Sequence, residues 1–82
     1  MQIRLHVFAG LAESLGCSTI LLELSGSDCR VKELKEQFAM KYPGTGSAVY
    51  QAIVSVDRKF ATDTVPLAEG CEVALLPPVS GG

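Results

Sequence analysis

Alternation of apolar and polar residues predicts two strands in the first part of this 82-residue chain. The pattern runs from Gln2 to Phe8 and returns from Thr19 to Leu24. A period of two is typical of a strand with one buried face, and the short connection between the segments favours an antiparallel pair. The connection, Gly10 to Gly16, predicts a turn or a single helical turn that Gly16 stops.

One long helix is predicted in the middle of the chain. Apolar residues recur at helical spacing at Val31, Leu34, Phe38 and Tyr42. The polar residues predicted to lie away from this stripe are Lys32, Lys35, Glu36 and Lys41. Asp28 is the predicted N-terminal cap, and Pro43-Gly44 is expected to end the helix at about Tyr42. We expect the apolar stripe to belong to the core rather than to a cofactor site.

Three further strands are predicted after the helix. Ile53 to Val56 is followed by the charged turn Asp57-Arg58-Lys59, a short segment around Phe60-Ala61 and, after a polar loop, Glu72 to Leu76. Residues 48–51 are expected to form one extra helical turn. A single long helix covers only one face of such a sheet, so the sequence predicts one two-layer α+β domain. If the first and last strands are neighbours, they must run parallel.

Composition and charge argue against several classes of protein. No apolar stretch approaches the roughly 20 residues of a membrane span, and the first residues lack the apolar run of a signal peptide. A formal net charge of −2 argues against nucleic-acid binding. Cys17, Cys29 and Cys71 form no Cys-x-x-Cys pair and His6 is the single histidine, so neither a metal site nor a disulfide framework is predicted. We expect a cytoplasmic protein with reduced thiols.

The sequence ends in Pro77-Pro78-Val79-Ser80-Gly81-Gly82, directly after the last predicted strand. Because the two prolines fix their φ angles and donate no N–H, the strand must stop and continue as a stiff stem. The glycines carry no Cβ, so a free carboxylate at Gly82 would be sterically open and able to enter a narrow channel. We therefore divide the chain into a domain, residues 1–76, and a flexible C-terminal tail, residues 77–82.

The whole chain resembles the ubiquitin-like sulfur-carrier family, and in particular the small subunits of molybdopterin synthases. The tail is the most specific part of this resemblance. Two further segments match, Phe8-Ala9-Gly10-Leu11-Ala12-Glu13 and Pro66-Leu67-Ala68-Glu69-Gly70-Cys71-Glu72-Val73. The chain departs from the family pattern at Ala12, where relatives often carry arginine, at Asp57, where asparagine is common, and at Cys71, where aspartate is usual. The resemblance implies a β-grasp fold, a mixed sheet with its first and last strands central and one main helix packed on one face.

The resemblance also implies a chemistry for the tail. An activating enzyme would use ATP and magnesium to adenylate Gly82, and sulfur from a persulfide donor would displace AMP to leave a thiocarboxylate. The large subunit of molybdopterin synthase, in a heterotetramer with two copies of each chain, would pass this sulfur to a cyclic pyranopterin precursor. Two carriers in turn would build the molybdopterin dithiolene. Gly82 is then the reacting residue, Gly81 gives clearance, and Pro77, Pro78, Val79 and Ser80 direct the tail. The chain is expected to bind no cofactor or metal and to be non-catalytic alone.

Three apolar side chains are candidates for docking the domain on its partners. Phe8 and Leu76 are out of phase with the inward-facing residues of their strands, and Phe60 follows a charged turn. Ordering a tail of five or six residues costs about 5–10 kcal/mol of backbone entropy, and three large side chains buried at about 1.5–3 kcal/mol each would offset it. The alternative is that they are ordinary surface residues or form a minor second core.

Other functions stay open at this point. A ubiquitin-like modifier would join Gly82 to a target lysine through the same kind of adenylate. A sulfur carrier for thiamine thiazole synthesis also ends in Gly-Gly, although the Pro-Pro stem and the chain length argue against it. An interaction module would keep an unmodified tail. The turn Asp57-Arg58-Lys59 has the charges to bind an anion, but a solvated turn is the ordinary expectation.

Overall fold

The computed structural model describes residues 1–26 and 28–78, and this part of the chain forms three helices and a five-stranded sheet. In chain order the elements are β1 (Gln2–Val7), α1 (Ala9–Leu15), β2 (Thr19–Glu23), α2 (Val31–Lys41), α3 (Gly46–Gln51), β3 (Ile53–Val56), β4 (Lys59–Ala61) and β5 (Glu72–Leu76). All the strands and helices predicted from the sequence are confirmed. Within the described ranges, no helix combines the length and apolarity that crossing a membrane requires.

The sheet has the strand order β2-β1-β5-β3-β4. Strands β1 and β5 lie side by side and run parallel, with Leu5 opposite Val73 and Val7 opposite Leu75. The other neighbouring pairs are antiparallel. The apolar side chains of β1 and β5 that face the helices are almost completely buried, so these two strands form the sheet side of the core. In this mixed sheet, the first and last strands are neighbours and run parallel. This is the β-grasp arrangement that the resemblance implied.

Helix α2 packs on one face of the sheet and supplies the middle of the core. The side chain of Phe38 is fully buried, as are those of Leu34, one turn earlier, and Val31, two turns earlier. The Phe38 ring lies 4.9 Å from the ring of Tyr42, measured between centroids. The helix ends where the Tyr42 N–H donates to the Phe38 carbonyl at 2.9 Å, directly before Pro43. The predicted core stripe and helix end are therefore confirmed.

The prediction of Asp28 as the cap of α2 is wrong, because the helix begins two residues later, with Arg30 in the capping position. The Arg30 N–H donates to Glu33 Oε1 at 2.9 Å. The first N–H groups of the helix donate to backbone carbonyls of a distant loop, Val31 to Val65 and Lys32 to Asp63, both at 3.0 Å. These carbonyls satisfy donors for which a capping side chain is otherwise needed.

Lys35 was predicted to lie on the polar side of α2, and this is also wrong. Only 8% of the residue is exposed, because position 35 lies one turn after Val31 on the core-facing side. Its Nζ atom lies 3.1 Å from Asp63 Oδ1, and that carboxylate is well exposed. The aliphatic part of the lysine therefore packs on the domain while its charge reaches the surface beside a partner of opposite sign.

Replacement of Phe38 tests the packing of α2 on the sheet. Phe38→Ala leaves a cavity at the centre of the core, and we expect it to lower the free energy of unfolding by about 3–5 kcal/mol, most of the stability of so small a domain. Met40→Ala is the matched control on the same helix, because Met40 is 81% exposed. Its effect should stay within about 0.5 kcal/mol. Urea denaturation followed by circular dichroism measures both, and equal stability of the two variants would contradict the core described here.

Candidate functional site

The tail begins where the buried strand β5 ends. The last residue of the strand is Leu76, and Pro77 and Pro78 follow it as exposed, irregular backbone. A proline donates no N–H, so neither residue can extend the ladder with β3. The predicted stem thus starts directly from a strand inside the sheet. The other predicted tail positions, Val79, Ser80, Gly81 and Gly82, lie outside the described residues.

Two of the three predicted docking residues lie on the face of the sheet opposite α2. Leu76 is paired with Ile53 across β5 and β3, while Phe60 is paired with Ser55 across β4 and β3. Residues directly opposite each other share a face, and so do residues two apart on one strand, so Ile53, Phe60 and Leu76 all face outward together. Phe60 is 80% exposed and Leu76 37% exposed, with Ile53 half-buried between them. We call these three residues the outer patch.

The third predicted docking residue, Phe8, lies at the same end of the sheet, but its side chain is less accessible to a partner. Val7 is paired with Leu75, so the next residue of the chain reaches the level of Leu76. Phe8 is half-buried and packs against the core. Its ring also covers the start of α1, where a Cβ on Gly10 would lie 3.4 Å from it. Phe8 therefore borders the outer patch, and much of its side chain already packs within the domain.

Away from the outer patch, the outer face is polar except for the small Ala74 and for Leu21 on the edge strand β2, which is paired with Arg4. Arg4 Nη1 lies 3.6 Å from Glu72 Oε1, and both side chains are about half exposed. His6 Nδ1 lies 3.2 Å from Thr19 Oγ1 on the neighbouring strand. His6 is thus an ordinary strand residue of the outer face. A partner that binds this face meets apolar side chains beside the tail and charged ones away from it.

Asp57 holds the hairpin that carries Phe60. Asp57 and Arg58 have φ angles of 49° and 70°, and Val56 pairs with Lys59 around them, so the turn is a two-residue hairpin of the left-handed kind. The Asp57 N–H donates to the Glu72 carbonyl at 2.8 Å, and Asp57 Oδ1 accepts from the Glu72 N–H at 3.1 Å. Aspartate and asparagine both tolerate this backbone region, so the departure from the family pattern at residue 57 keeps the turn.

None of the cysteines is paired with another, and their surroundings differ. Cys17 is exposed, whereas Cys29 and Cys71 are buried, and the Cys29 thiol donates to the Ser25 carbonyl at 3.0 Å. Burial raises the pKa of the Cys71 thiol, so little thiolate forms at neutral pH and the side chain is a poor nucleophile. In residues 1–26 and 28–78, no cluster of three or more His, Cys, Asp or Glu side chains is arranged to hold a metal ion.

Sequence reasoning did not include Ile53 among the docking residues. It had identified β3, but the position of Ile53 beside Leu76 follows from the antiparallel register of β3 with β5, which joins distant segments. A signal was present in the sequence, because Ile53 and Ser55 alternate with the inward-facing Val54. An apolar residue in the outward phase is the pattern that had already selected Leu76.

The fold and the exposed stem define a ubiquitin-like domain that presents a C-terminal tail. The ThiS family model matches residues 5–82, and the chain belongs to the ThiS family. The molybdopterin synthase sulfur carrier subunit of Chlamydomonas reinhardtii is 30% identical over 84 residues, and the match covers both chains completely. The chain is also similar to the crystal structure of SAMP1 from Haloferax volcanii, with a TM-score of 0.82, 29% identity and full coverage of both chains.

A third similarity concerns the fold alone. It is to a chain of the complex of subunits 1 and 2 of the molybdopterin-converting factor from Helicobacter pylori, with a TM-score of 0.67 and 20% identity. The whole of both chains is covered.

Substitution of Asp57 tests the hairpin beneath Phe60. Asp57→Ala removes the bond to the Glu72 N–H and places alanine at a positive φ, so the free energy of unfolding should fall by about 1–2 kcal/mol. Asp57→Asn keeps an acceptor oxygen and tolerates the same backbone, and we expect a change below about 0.5 kcal/mol. Chemical denaturation of the two variants provides the comparison. If alanine and asparagine were equivalent, the turn would not depend on this side chain.

Proposed function

We propose that this chain is the sulfur-carrier subunit of a molybdopterin synthase and that Gly82 carries the sulfur. One observation supports the proposal most directly. The chain leaves β5 as Pro77 and Pro78, which are both exposed and directly follow Leu76 of the outer patch. This arrangement fixes the point at which the tail starts, directly after a strand inside the sheet. The full-length similarity to the sulfur carrier subunit of Chlamydomonas reinhardtii supports the same function.

The proposed chemistry uses only the carboxylate of the tail. A carboxylate is a poor electrophile until one of its oxygens becomes part of a leaving group. An activating enzyme supplies that group by transferring AMP from ATP, with magnesium, to Gly82 and releasing pyrophosphate. The outer sulfur of a persulfide donor then displaces AMP, which links the donor to Gly82 through an acyl disulfide. A second thiol of the activating system attacks the donor sulfur, forms a disulfide with it and releases the thiocarboxylate. The large subunit takes the tail into its active site, where two carriers in turn convert a cyclic pyranopterin into the dithiolene of molybdopterin.

The residues of this chain position the reacting group and do not catalyse its transfer. The prolines of the stem remove part of the conformational freedom that a flexible tail would lose on binding, a loss of about 1–2 kcal/mol for each ordered residue. Gly81 leaves room for enzymes to approach the carbonyl of Gly82, because a glycine has no Cβ. The cysteines are not required in this scheme. We place the reaction in the cytoplasm, where thiols such as those of Cys17 and Cys29 stay reduced.

The outer patch supplies the affinity that the glycines lack. Burial of one large apolar side chain contributes about 1.5–3 kcal/mol, and Phe60 and Leu76 both have exposed surface to bury. The patch lies at the base of the tail, so a partner that covers it receives the tail at a fixed point. We propose that the large subunit and the activating enzyme both bind here, in turn. The complete synthase would contain two copies of each chain.

A second function, conjugation to other proteins, is favoured by one observation. SAMP1 is named small archaeal modifier protein 1, and its structure is similar to this chain at 29% identity. A modifier and a carrier pass through the same adenylate and differ in the nucleophile that attacks it, an amine or a sulfur donor. The mass of the product distinguishes the two fates, because one sulfur replaces one oxygen in the carrier and a lysine-linked protein is added in the modifier.

Changes at Gly82 test the proposed reaction. After incubation with the activating enzyme, ATP and a persulfide donor, the intact chain should gain the mass of sulfur for oxygen, and adding the large subunit and the precursor should then yield dithiolene. Deletion of Gly82 shortens the tail by about 3.5 Å, and a misplacement of even ~1 Å can cost a hundredfold in rate. Extension by one residue converts the reacting carboxylate into an amide. Both variants should fold normally and give no turnover.

Cys17→Ser is the control for these variants, because it removes the exposed thiol and keeps the tail. It should show the same mass gain as the parent. A mass gain that disappears with Cys17→Ser, or dithiolene formation with either altered tail, would contradict the assignment of the sulfur to Gly82.

Leu76→Glu separates docking from folding. The side chain faces outward, so the free energy of unfolding should change by less than about 1 kcal/mol. In the complex, the carboxylate would be buried without a partner, and affinity for the large subunit should fall more than about a hundredfold. Met40→Glu makes the same charge change on α2, on the other side of the sheet, and should bind like the parent. Calorimetric titration measures the affinities, and a Leu76→Glu protein without cooperative unfolding would place Leu76 in the core.

A further inference from the structure

Within residues 1–26 and 28–78, strand β2 forms one edge of the sheet and pairs with β1 alone. The bonds at the two ends of this ladder run from the Val7 N–H to the Ser18 carbonyl at 3.0 Å and from the Leu24 N–H to the Met1 carbonyl at 2.7 Å. In an antiparallel pair, residues that bond the neighbour alternate with residues that point away from it. The backbone groups of Thr19, Leu21 and Glu23 therefore point out from the edge.

The two edges of the sheet are not equally protected. Strand β4, at the far edge, has three residues and begins with Lys59, and short length and a lysine both discourage pairing. Strand β2 has five residues and contains no proline, glycine or lysine. The side chain of Leu21, at its centre, is 58% exposed. An unblocked edge with an apolar side chain at its middle is suited to pairing with another strand.

We propose that β2 pairs with β2 of a second copy of this chain, antiparallel and centred on Leu21. The apolar residues of the strand are symmetric about Leu21, with Ile20 and Leu22 on either side, and the polar residues Thr19 and Glu23 stand at the two ends. A two-fold axis at Leu21 places each leucine opposite its copy, and each Thr19 opposite the partner's Glu23. The outward backbone groups of the two strands then meet, and six N–H groups find carbonyl acceptors.

Charge and packing both fit this pairing. Glu23 faces a threonine hydroxyl, and the two copies of Glu23 are separated by about 14 Å along the strand, so like charges do not oppose each other. On the helix side, a groove between β2 and α2 is lined by Leu22, Gln37 and Met40. Met40 is 81% exposed in this groove, and its apolar side chain would cover the two paired β2 strands from the helix side. Two sheets would become one continuous sheet of ten strands.

The pairing leaves the outer patch and the stem, Pro77 and Pro78, accessible. Strands β2 and β4 are four positions apart in the sheet, about 19 Å at the usual spacing between strands, so Phe60 stays far from the new junction. Because the two copies run in opposite directions, their tail stems leave at opposite ends of the joined sheet. A contact through one strand per copy is small compared with stable dimer interfaces, which bury roughly 1,200 Å² or more, so we expect association in the high micromolar range.

Disulfide trapping tests the register residue by residue. In a Cys17→Ser background, Leu21→Cys places two thiols opposite each other with Cα atoms about 5.5 Å apart, which suits a disulfide. Glu23→Cys is the matched control, since its two copies would be about 14 Å apart, beyond the reach of a disulfide. Under mild oxidation at high concentration, the first variant should form a linked dimer and the second should not. Equal trapping of both variants, or of neither, overturns the proposed register.

Sedimentation velocity tests the association without an added thiol. The unmodified chain should show a rise in mean mass from micromolar to millimolar concentration. Leu21→Lys, which places a charge on the exposed edge, should stay monomeric. Phe60→Lys makes the same change at the other edge and should associate like the parent. A parent chain that stays monomeric, a Leu21→Lys protein that still associates, or pairing of β2 only with a segment of another protein would each overturn the proposal.

Discussion

The parallel pairing of β1 with β5 is the contact on which the rest of the structure depends. It joins the first and last strands, which more than sixty residues separate, and it places Leu5 beside Val73 over the core. A long-range pair of this kind forms only when the chain between its strands is already compact enough to offset the entropy of closing the loop. The tail stem therefore starts from a strand whose inward side chains, Val73 and Leu75, are buried in the core.

Local patterns in the sequence predicted most of the fold because each element has a clear period and clear ends. Strand β1 alternates strictly, β2 keeps Ile20, Leu22 and Leu24 in one phase, and α2 repeats apolar residues at helical spacing up to Pro43. The two errors occur where a distant loop meets the start of α2. Asp63 contributes its carbonyl to the first turn and its carboxylate to Lys35, so this one loop residue changes both the capping and the burial of the helix. No pattern local to the helix contains that contact.

The candidate site was predictable in its chemistry and less so in its geometry. A glycine pair after two prolines predicts the tail without any structure, and the outward phase of Leu76 predicts one candidate docking residue. The neighbours of Leu76 depend on strand order, which periodicity does not specify, and so Ile53 was missed. The hairpin below Phe60 was expected as a solvated turn. It also uses the Asp57 carboxylate to bind the first residue of β5, and thus connects the edge strand to the start of the tail-bearing strand.

The proposed function separates affinity from reactivity, and this separation would let one fold serve both carriers and modifiers. A glycine tail buries little surface, so it cannot by itself choose among enzymes that recognise an adenylated carboxylate. The choice must come from the body of the domain, where Phe60 and Leu76 lie beside the tail and charged residues such as Arg4 lie further away. Substitutions on that face can change the partner and leave the reacting end unaltered. Specificity in this fold is therefore a property of the sheet surface, and the tail contributes a reaction that its several fates share.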